Sequence, residues 1–188
     1  MTRSYLIRHG KPAAGWGDDD DPGLDETGHA QARAAAEALL ALAAEHRPTK
    51  VVSSPLKRCR ETAAPFAEAL GVEVEIVPGV GEIPTPKALS VATRGEWLRN
   101  AFQGTWDQIK GDLDYDAWRH QVLAAVAQRP GTAIFSHFVA INAVTSLLAD
   151  DDRVIGFRPD HCSMSTLDVG DGAVTLVERG REAATGVL

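Results

Sequence analysis

Short apolar runs alternate with longer stretches of helical pattern along the chain. Residues 5–7 form the first run, and a segment rich in Ala and Leu follows from about residue 25 to residue 45. Ala and Leu favour helices, so this segment predicts the first helix. Residues 51–52 predict a second strand, and residues 56–70 predict a second helix, which ends at Gly71 because glycine commonly closes helices.

The same alternation continues in the second half of the chain. The elements predicted there are a strand over 72–77, a helix over 115–128, a strand over 132–135, a helix over 139–149 and a hairpin of 165–169 with 173–177. The intervening segment 79–118 is less regular and contains Trp97, Trp106 and Trp118.

Strands that alternate with helices imply βαβ units and a mostly parallel sheet that is covered on both faces. The sequence therefore predicts an α/β fold, a three-layer α/β/α sandwich with an antiparallel edge supplied by the final hairpin. A length of 188 residues without a repeat or linker predicts one domain over 1–188. In such sheets, ligands bind beyond the carboxyl ends of the strands, so we expect catalytic residues just after the first four strands.

The net charge of −7 and the pI near 5.3 argue against a nucleic-acid-binding protein, which usually needs a basic face. Cys59 and Cys162 are too few for a disulfide framework and are interpreted as reduced thiols. The sequence has no recognisable signal peptide and no apolar run that approaches the length of a membrane span. We therefore expect a cytoplasmic protein with no membrane partner.

Chemically active side chains follow each of the predicted parallel strands. They are Arg8-His9-Gly10 after the first strand, Ser53-Ser54-Pro55 and Arg58 after the second, Glu82 after the third and Ser136-His137 after the fourth. The predicted fold brings two histidines, two arginines and a carboxylic acid to one edge of the sheet. No other face of the sheet collects such a set.

This set predicts phosphoryl transfer, which requires an in-line nucleophile and several positive donors to the phosphoryl oxygens. A neutral His9 imidazole can serve as the nucleophile and form a phosphohistidine. Arg8 and Arg58 offer permanently charged, planar guanidinium groups that match phosphate oxygens, and His137 can donate to the same oxygens. Glu82 can protonate the leaving oxygen and then deprotonate the attacking water. The lack of a Cβ at Gly10 predicts a close approach of backbone and ligand.

Four blocks of the sequence, in order, resemble the histidine phosphatase superfamily, which is also called phosphoglycerate-mutase-like. They are Leu6-Ile7-Arg8-His9-Gly10-Lys11-Pro12, the helix start Leu24-Asp25-Glu26-Thr27-Gly28-His29, the run Ser53-Ser54-Pro55-Leu56-Lys57-Arg58-Cys59-Arg60-Glu61-Thr62-Ala63, and Phe135-Ser136-His137. The resemblance extends from about residue 5 to residue 167. It implies a phosphoglycerate-mutase-like fold and a catalytic set of Arg8, His9, Arg58, Glu82 and His137, with Arg58 rather than Arg60 on phosphate.

The sequence departs from the pattern of this family at two places. The family usually has glycine after the second histidine, where this chain has Phe138, and a bulky ring there could narrow the pocket. A small polar residue often stands at the position of His161. The resemblance therefore implies that Phe138 and His161, together with Arg8, Gly10, Arg58 and His137, contact the substrate.

In the family, the segment that corresponds to residues 79–118 covers the active site and shapes the choice of substrate. We call it the covering segment. Its tryptophans are more typical of a core than of a ligand platform, and Phe138 and the tryptophans hint at a partly apolar leaving group. Lys87, Arg94, Arg99 and Lys110 could meet a second anionic group or could be solvated.

Three functions remain open at this point. The first is a metal-independent phosphomonoesterase that acts on a small phosphorylated substrate without a cofactor. The second is a mutase of the phosphoglycerate type, and the third is a non-catalytic module that binds phosphate or phosphoproteins. A zinc site built from His9, His137, His161 and Glu82 is a poor alternative, because Arg8 and Arg58 would repel a cation. The sequence leaves the choice between monomer and homodimer open.

Overall fold

A mixed sheet of six strands forms the centre of the computed structural model, which describes residues 1–15, 19 and 21–184. The strands are β1 (Thr2–Arg8), β2 (Lys50–Ser53), β3 (Val74–Ile76), β4 (Thr132–Ser136), β5 (Met164–Gly170) and β6 (Ala173–Glu178). Their order across the sheet is β3-β2-β4-β1-β5-β6. The first four strands are parallel, whereas β5 is antiparallel to β1 and β6 is antiparallel to β5. The parallel sheet with an antiparallel edge is confirmed.

Five α-helices connect or follow these strands in the described part of the chain. They are α1 (Glu26–Leu40), α2 (Lys57–Leu70), α3 (Val91–Ala101), α4 (Tyr115–Ala127) and α5 (Phe138–Leu148). Single 3₁₀ turns at Pro78–Val80 and Trp106–Gln108 lie on either side of α3.

Side chains alternate between the two faces of the sheet, and each face is buried against helices. Tyr5 and Ile7 lie in a core cluster with Leu39 of α1 and Phe66 of α2. Leu6, between them in sequence, lies in the opposite cluster with residues of α4 and α5. The period of two follows from the pleat of a strand, which turns successive side chains to opposite faces. The result is the predicted α/β/α sandwich.

The covering segment differs most from its prediction, because it contains the unpredicted helix α3. Few apolar residues mark this helix in the sequence, and Gly95 lies in its middle. Its start is fixed instead by a capping box, in which the Ser90 side chain accepts from the Thr93 N–H and the Thr93 hydroxyl accepts from the Ser90 N–H. Leu98 then anchors the helix in a third core cluster.

The three tryptophans of the covering segment belong to this third cluster or pack against it. Trp106 is fully buried and its indole N–H donates to Ser146 at 3.2 Å, while Trp97 donates to the carbonyl of Lys110 at 2.7 Å. Trp118 stacks at a tilt on Trp106. These contacts agree with the core interpretation of the tryptophans.

Histidines on or near the predicted helices, away from the strand ends, are predicted to lie on the surface, and His29, His46 and His120 are exposed. The run of four acidic residues at 18–21 predicts a solvated loop rather than a metal site, but residues 18 and 20 lie outside the described residues. None of the helices described is both long enough and apolar enough to span a bilayer.

Candidate active site

The predicted site residues come from the carboxyl ends of the parallel strands. Arg8 is the last residue of β1 and His9 follows it, while His137 follows β4 directly. Arg58 lies in the first turn of α2, just beyond β2. Because parallel strands end at the same edge of a sheet, these side chains meet there. The rings of His9 and His137 lie 5.3 Å apart, centroid to centroid, at an interplanar angle of 63°.

The imidazole ring of His9 is oriented by a hydrogen bond to the backbone carbonyl of the next residue, Gly10. Its Nδ1 atom lies 2.7 Å from the carbonyl oxygen of Gly10, which can only accept, so Nδ1 carries the proton and Nε2 keeps its lone pair. The side chain is 6% exposed. Burial, followed by the charges of Arg58 and Arg8, lowers the pKa of His9 well below its ordinary value. The arrangement therefore keeps a neutral imidazole whose Nε2 carries no proton.

Arg58 bridges the two histidines. Its Nε donates to Nε2 of His9 at 3.3 Å, and its Nη2 lies 3.3 Å from Nδ1 of His137. Nη1 lies 4.0 Å from a carboxylate oxygen of Asp21, the one member of the acidic run that approaches the site among the described residues. A guanidinium in this position can donate to a group bound at His9 through several N–H bonds at once.

Arg8 precedes His9 in sequence, and its charge also acts on His9. Its Nη1 donates to the carbonyl of Pro159 at 2.9 Å, and its guanidinium lies 5.0 Å from the centre of the Phe138 ring. Its buried Nε has no hydrogen-bond partner in the described part of the chain, so a donor is left for a ligand. Burial lowers the pKa of Arg8 to about 10, which leaves the group charged at neutral pH.

Phe138 acts on the site through Arg8. Its ring is 2% exposed and packs against Phe102 in the core of the covering segment. Contact with the positive guanidinium is favourable, because a ring face carries partial negative charge. The ring thus has little surface to offer a substrate, and direct substrate contact stays a prediction.

His137 is fully buried and has a second set of partners behind its ring. Its Nε2 lies 2.8 Å from the hydroxyl of Ser54 and 3.3 Å from the thiol sulfur of Cys59. Burial, then the charges of His9, Arg58 and Arg94, lowers the pKa of His137 well below its ordinary value. The position of Ser54 just before α2 predicts a helix cap, but the cap position is Leu56, which has no side-chain cap bond. Ser54 instead accepts from the Leu56 N–H at 3.3 Å and contacts His137.

Glu82 lies between β3 and α3, where the covering segment meets α5. One carboxylate oxygen accepts from the Ile83 N–H at 2.9 Å and the other from the Val139 N–H at 3.4 Å. The second bond places the carboxylate at the positive end of α5, directly beyond His137. The charge of Glu82 reaches Arg8, where it partly opposes the lowering of the Arg8 pKa.

His161 brings a third imidazole to the site. Its ring centre lies 5.9 Å from that of His9, and its side chain is 7% exposed. Burial, followed by the charge of Arg8, lowers the pKa of His161 to about 4. The structure therefore places this residue beside His9, and its contact with substrate stays a prediction.

Gly10 lies close to the backbone of α1. A Cβ at this position would lie 2.7 Å from the carbonyl oxygen of Gly28 in α1. The Gly10 N–H donates at 3.0 Å to the hydroxyl of Thr62, which sequence reasoning did not single out. The two glycines let α1 pack against the loop after His9, and the close approach of Gly10 to a ligand stays a prediction.

No group of three or more His, Cys, Asp or Glu side chains within the described ranges is arranged to hold a metal ion. The zinc alternative therefore has no assembled ligand set among these residues.

The sequence profile of the histidine phosphatase superfamily (branch 1) matches residues 4–181. The chain belongs to this superfamily. It is 28% identical over 192 aligned positions to the probable phosphoglycerate mutase GpmB of Escherichia fergusonii, covering 89% of this chain and 85% of that protein.

Solved structures of two phosphatases share the fold. A mycobacterial glucosyl-3-phosphoglycerate phosphatase superposes with a TM-score of 0.70 at 21% identity, over 96% of this chain and 99% of that one. The phosphoserine phosphatase of Entamoeba histolytica superposes with a TM-score of 0.73 at 20% identity, over 96% and 98%. At these identities, the likeness establishes the phosphoglycerate-mutase-like fold.

Proposed function

We propose that the chain is a phosphatase that hydrolyses phosphomonoesters through a phosphohistidine on His9, without a metal ion. The observation that carries the proposal is the position of His9 Nε2. This nitrogen keeps its lone pair, because Nδ1 is engaged by the Gly10 carbonyl, and it faces the Nε–H of Arg58 at 3.3 Å. A nucleophile directed at a cationic donor is suited to attack an anionic phosphoryl group.

In the first step, Nε2 of His9 forms a bond to phosphorus while the ester P–O bond breaks. Arg8, Arg58 and His137 donate to the phosphoryl oxygens, and their positions are fixed before the substrate arrives. Glu82, in its protonated form, gives its proton to the leaving oxygen, so the alcohol departs neutral.

In the second step, the Glu82 carboxylate takes a proton from a water molecule that attacks the phosphohistidine. The new P–O bond forms as the P–N bond breaks, which releases inorganic phosphate and restores neutral His9 and protonated Glu82. The bonds of Glu82 to the Ile83 and Val139 N–H groups hold its carboxylate at the edge of the site during both steps.

A mutase that passes the phosphoryl group back to the same kind of substrate is the second candidate. The similarity to a protein named as a probable phosphoglycerate mutase, over 85% of its length, favours it. Both functions use the same phosphohistidine, and they differ in whether water or a substrate hydroxyl receives the phosphoryl group.

Hydrolysis of an aryl phosphate in the presence of a metal chelator tests the proposal. We expect turnover that the chelator leaves unchanged and that His9→Ala reduces at least about a thousandfold, as removal of a covalent nucleophile does. His46→Ala, at an exposed histidine, is the matched control and should retain full activity. Interconversion of phosphoglycerates with little release of phosphate would favour the mutase, and phosphate binding without turnover would favour a binding module.

A further inference from the structure

His161 is a buried imidazole beside the nucleophile, and the proposed reaction does not use it. Its ring centre lies 5.9 Å from that of His9, with the two ring planes tilted by 47°. The ring of His137 is only slightly closer to His9, at 5.3 Å. His9 therefore has two imidazole neighbours, of which only His137 has been given a role in the reaction.

The loop that carries His161 is fixed by hydrogen bonds to Arg8. The Arg8 N–H donates to the Ser163 carbonyl at 3.2 Å, and the Cys162 N–H donates to the Arg8 carbonyl at 3.1 Å. On the other side of His161, the Arg8 guanidinium donates to the Pro159 carbonyl at 2.9 Å. The position from which the imidazole starts is therefore tied to that of Arg8, which is itself a phosphoryl donor in the proposed reaction.

Two further contacts constrain the same loop. The His161 N–H donates at 2.8 Å to the carboxylate of Asp160, and this carboxylate accepts two bonds from the guanidinium of Arg181 at 3.0 and 3.1 Å. Cys162 has a φ of 54°, a left-handed conformation that is uncommon for residues other than glycine and persists where surrounding contacts impose it. The loop therefore presents the imidazole in a defined position, as a preorganised donor requires.

The imidazole of His161 has no hydrogen-bond partner of its own. The residue is 7% exposed, yet neither ring nitrogen bonds to any group in the part of the chain that the structure describes. The other two buried histidines differ, because His9 bonds to the Gly10 carbonyl and His137 bonds to the Ser54 hydroxyl. A buried polar group without a partner is costly, and a bound ligand can supply the missing bond.

The surroundings of His161 favour an anionic ligand. Burial and the charge of Arg8 keep the imidazole neutral near pH 7, with a pKa of about 4. Asp160, which opposes this shift, is paired with Arg181. A neutral imidazole has one N–H donor and one acceptor nitrogen. With the cation of Arg8 beside it, the N–H is suited to an oxygen of the phosphoryl group that His9 receives.

We propose that His161 is a phosphoryl-binding residue, which donates a ring N–H to an oxygen of the phosphoryl group at His9. The proposal rests on the phosphatase function and adds a fourth donor to Arg8, Arg58 and His137. This donor comes from the loop before the antiparallel strand β5 rather than from the end of a parallel strand. Because every phosphomonoester carries the same phosphoryl group, the bond should contribute equally whatever the alcohol.

Inhibition by inorganic phosphate and by vanadate tests the proposal, because neither ion has an alcohol part. His161→Ala should weaken both by about 10- to 100-fold, the range of a hydrogen bond to a charged group. It should lower kcat/KM for an aryl phosphate and for glycerol 3-phosphate by factors that agree within about threefold. His46→Ala, at an exposed histidine, is the matched control and should change none of these values.

Two conservative variants separate a hydrogen bond from a structural role. His161→Asn places an amide nitrogen near the position of Nδ1, and His161→Gln places one near that of Nε2, so each keeps a neutral donor. At least one of them should retain inhibition by phosphate within about threefold of the original protein. Urea unfolding at pH 7 shows that each variant is folded. Equal losses in the Ala, Asn and Gln variants would overturn the proposal.

Nitrogen-15 NMR of the original protein gives a readout that is independent of turnover. Saturation with inorganic phosphate should shift the ring nitrogen signals of His161, which are assigned by their absence from the spectrum of His161→Gln. Signals of His161 that stay unchanged at saturation would count against the bond.

The outcomes separate the inference from the proposed function. Aryl phosphate turnover together with unchanged inhibition by phosphate and vanadate in His161→Ala overturns the inference and leaves the phosphatase intact. A loss confined to one ester also overturns it, because His161 would then contact the alcohol. Absence of turnover with every ester overturns the phosphatase. In that case, calorimetric binding of phosphate that weakens in His161→Ala but not in His46→Ala still supports the donor.

Discussion

The Nδ1 atom of His9 lies 2.7 Å from the carbonyl oxygen of Gly10. This single bond decides which ring nitrogen carries the proton, and the unprotonated Nε2 faces the Nε–H of Arg58 at 3.3 Å. The carbonyl is in turn positioned by the Gly10 N–H bond to Thr62 and by the packing of Gly10 on Gly28. The reactivity of His9 thus depends on backbone geometry that only small residues permit.

The first prediction concerns the protonation of His9. A histidine nucleophile loses its lone pair when the pH falls through its folded pKa, and burial beside Arg58 and Arg8 lowers this pKa well below the ordinary value of about 6.5. His9 should therefore stay neutral in the free protein as the pH is lowered through about 6.5. Nitrogen-15 NMR should report a neutral ring with its proton on Nδ1. A His9 ring that becomes protonated at or above this pH would contradict the assignment.

The second prediction concerns Glu82. Glu82→Gln keeps the shape of the side chain but removes the proton that the leaving oxygen needs, so we expect kcat with a poor leaving group to fall by about 100- to 10,000-fold. Inorganic phosphate or vanadate should still bind within a few-fold of the original affinity, as measured by inhibition of residual activity. An aryl phosphate, whose leaving group needs less protonation, should be less affected. Equal loss of binding and turnover would assign Glu82 to phosphate binding.

The third prediction concerns Ser54, which lies behind His137. The hydroxyl can donate to Nε2 of His137 or accept from it, so the ring can place its proton on Nδ1 when a phosphoryl oxygen is present. Ser54→Ala should weaken inhibition by phosphate and lower kcat/KM by up to about tenfold, the value of one hydrogen bond between neutral groups, and Ser54→Thr should retain both.

Ser53→Ala is the control for this prediction. Ser53 is equally buried, but its hydroxyl donates to the carbonyl of Ser54 rather than to the imidazole. If Ser53→Ala and Ser54→Ala have the same effects, the role of Ser54 is only structural.

The fourth prediction links His161 to stability. Its pKa of about 4 in the folded protein lies below the value of about 6.5 expected for the unfolded chain. As the pH falls below about 6.5, the unfolded state takes up a proton that the native state refuses, so the free energy of unfolding decreases, by at most about 1.4 kcal/mol per pH unit for each such proton. His9 and His137 act in the same direction.

Urea unfolding at several values between about pH 7 and pH 5 measures this effect. His161→Gln should show a shallower loss of stability than the original protein, because one of the protons is no longer taken up. An unchanged slope would show that burial and the charge of Arg8 do not lower the pKa of His161.

The sequence predicted the sheet and the core helices because their patterns are strong and local. It did not predict α3, whose start depends on the capping box at Ser90 and which packs into the core through Leu98. It also extended α1 to about residue 45, whereas the helix ends at Leu40. Beyond that point the chain turns back toward β2, and the Tyr5 hydroxyl donates to the His46 carbonyl, a tertiary contact that helix propensity does not include.

In the candidate site, too, some residues could be predicted from the sequence pattern, whereas others depend on contacts that form only in the folded chain. The sequence could predict that four side chains converge, because each lies at or just beyond the end of a parallel strand. They are Arg8, His9, Arg58 and His137. The supporting contacts of Ser54 and Thr62 depend on side-chain rotamers and on how α2 packs beside β1, which no spacing in the sequence encodes. Arg94 could only be named as one of several cations, since its burial is a property of the folded covering segment.

The most direct test of the account is to trap the phosphorylated protein. Rapid mixing with a phosphomonoester, quenching in alkali and mass spectrometry of the peptides should find one phosphoryl group on the peptide that contains His9. That label should be stable in alkali, lost in acid and absent from His9→Ala. A phosphoryl group on any other residue, or turnover without any phosphorylated protein under these conditions, would contradict the proposal that His9 is the nucleophile.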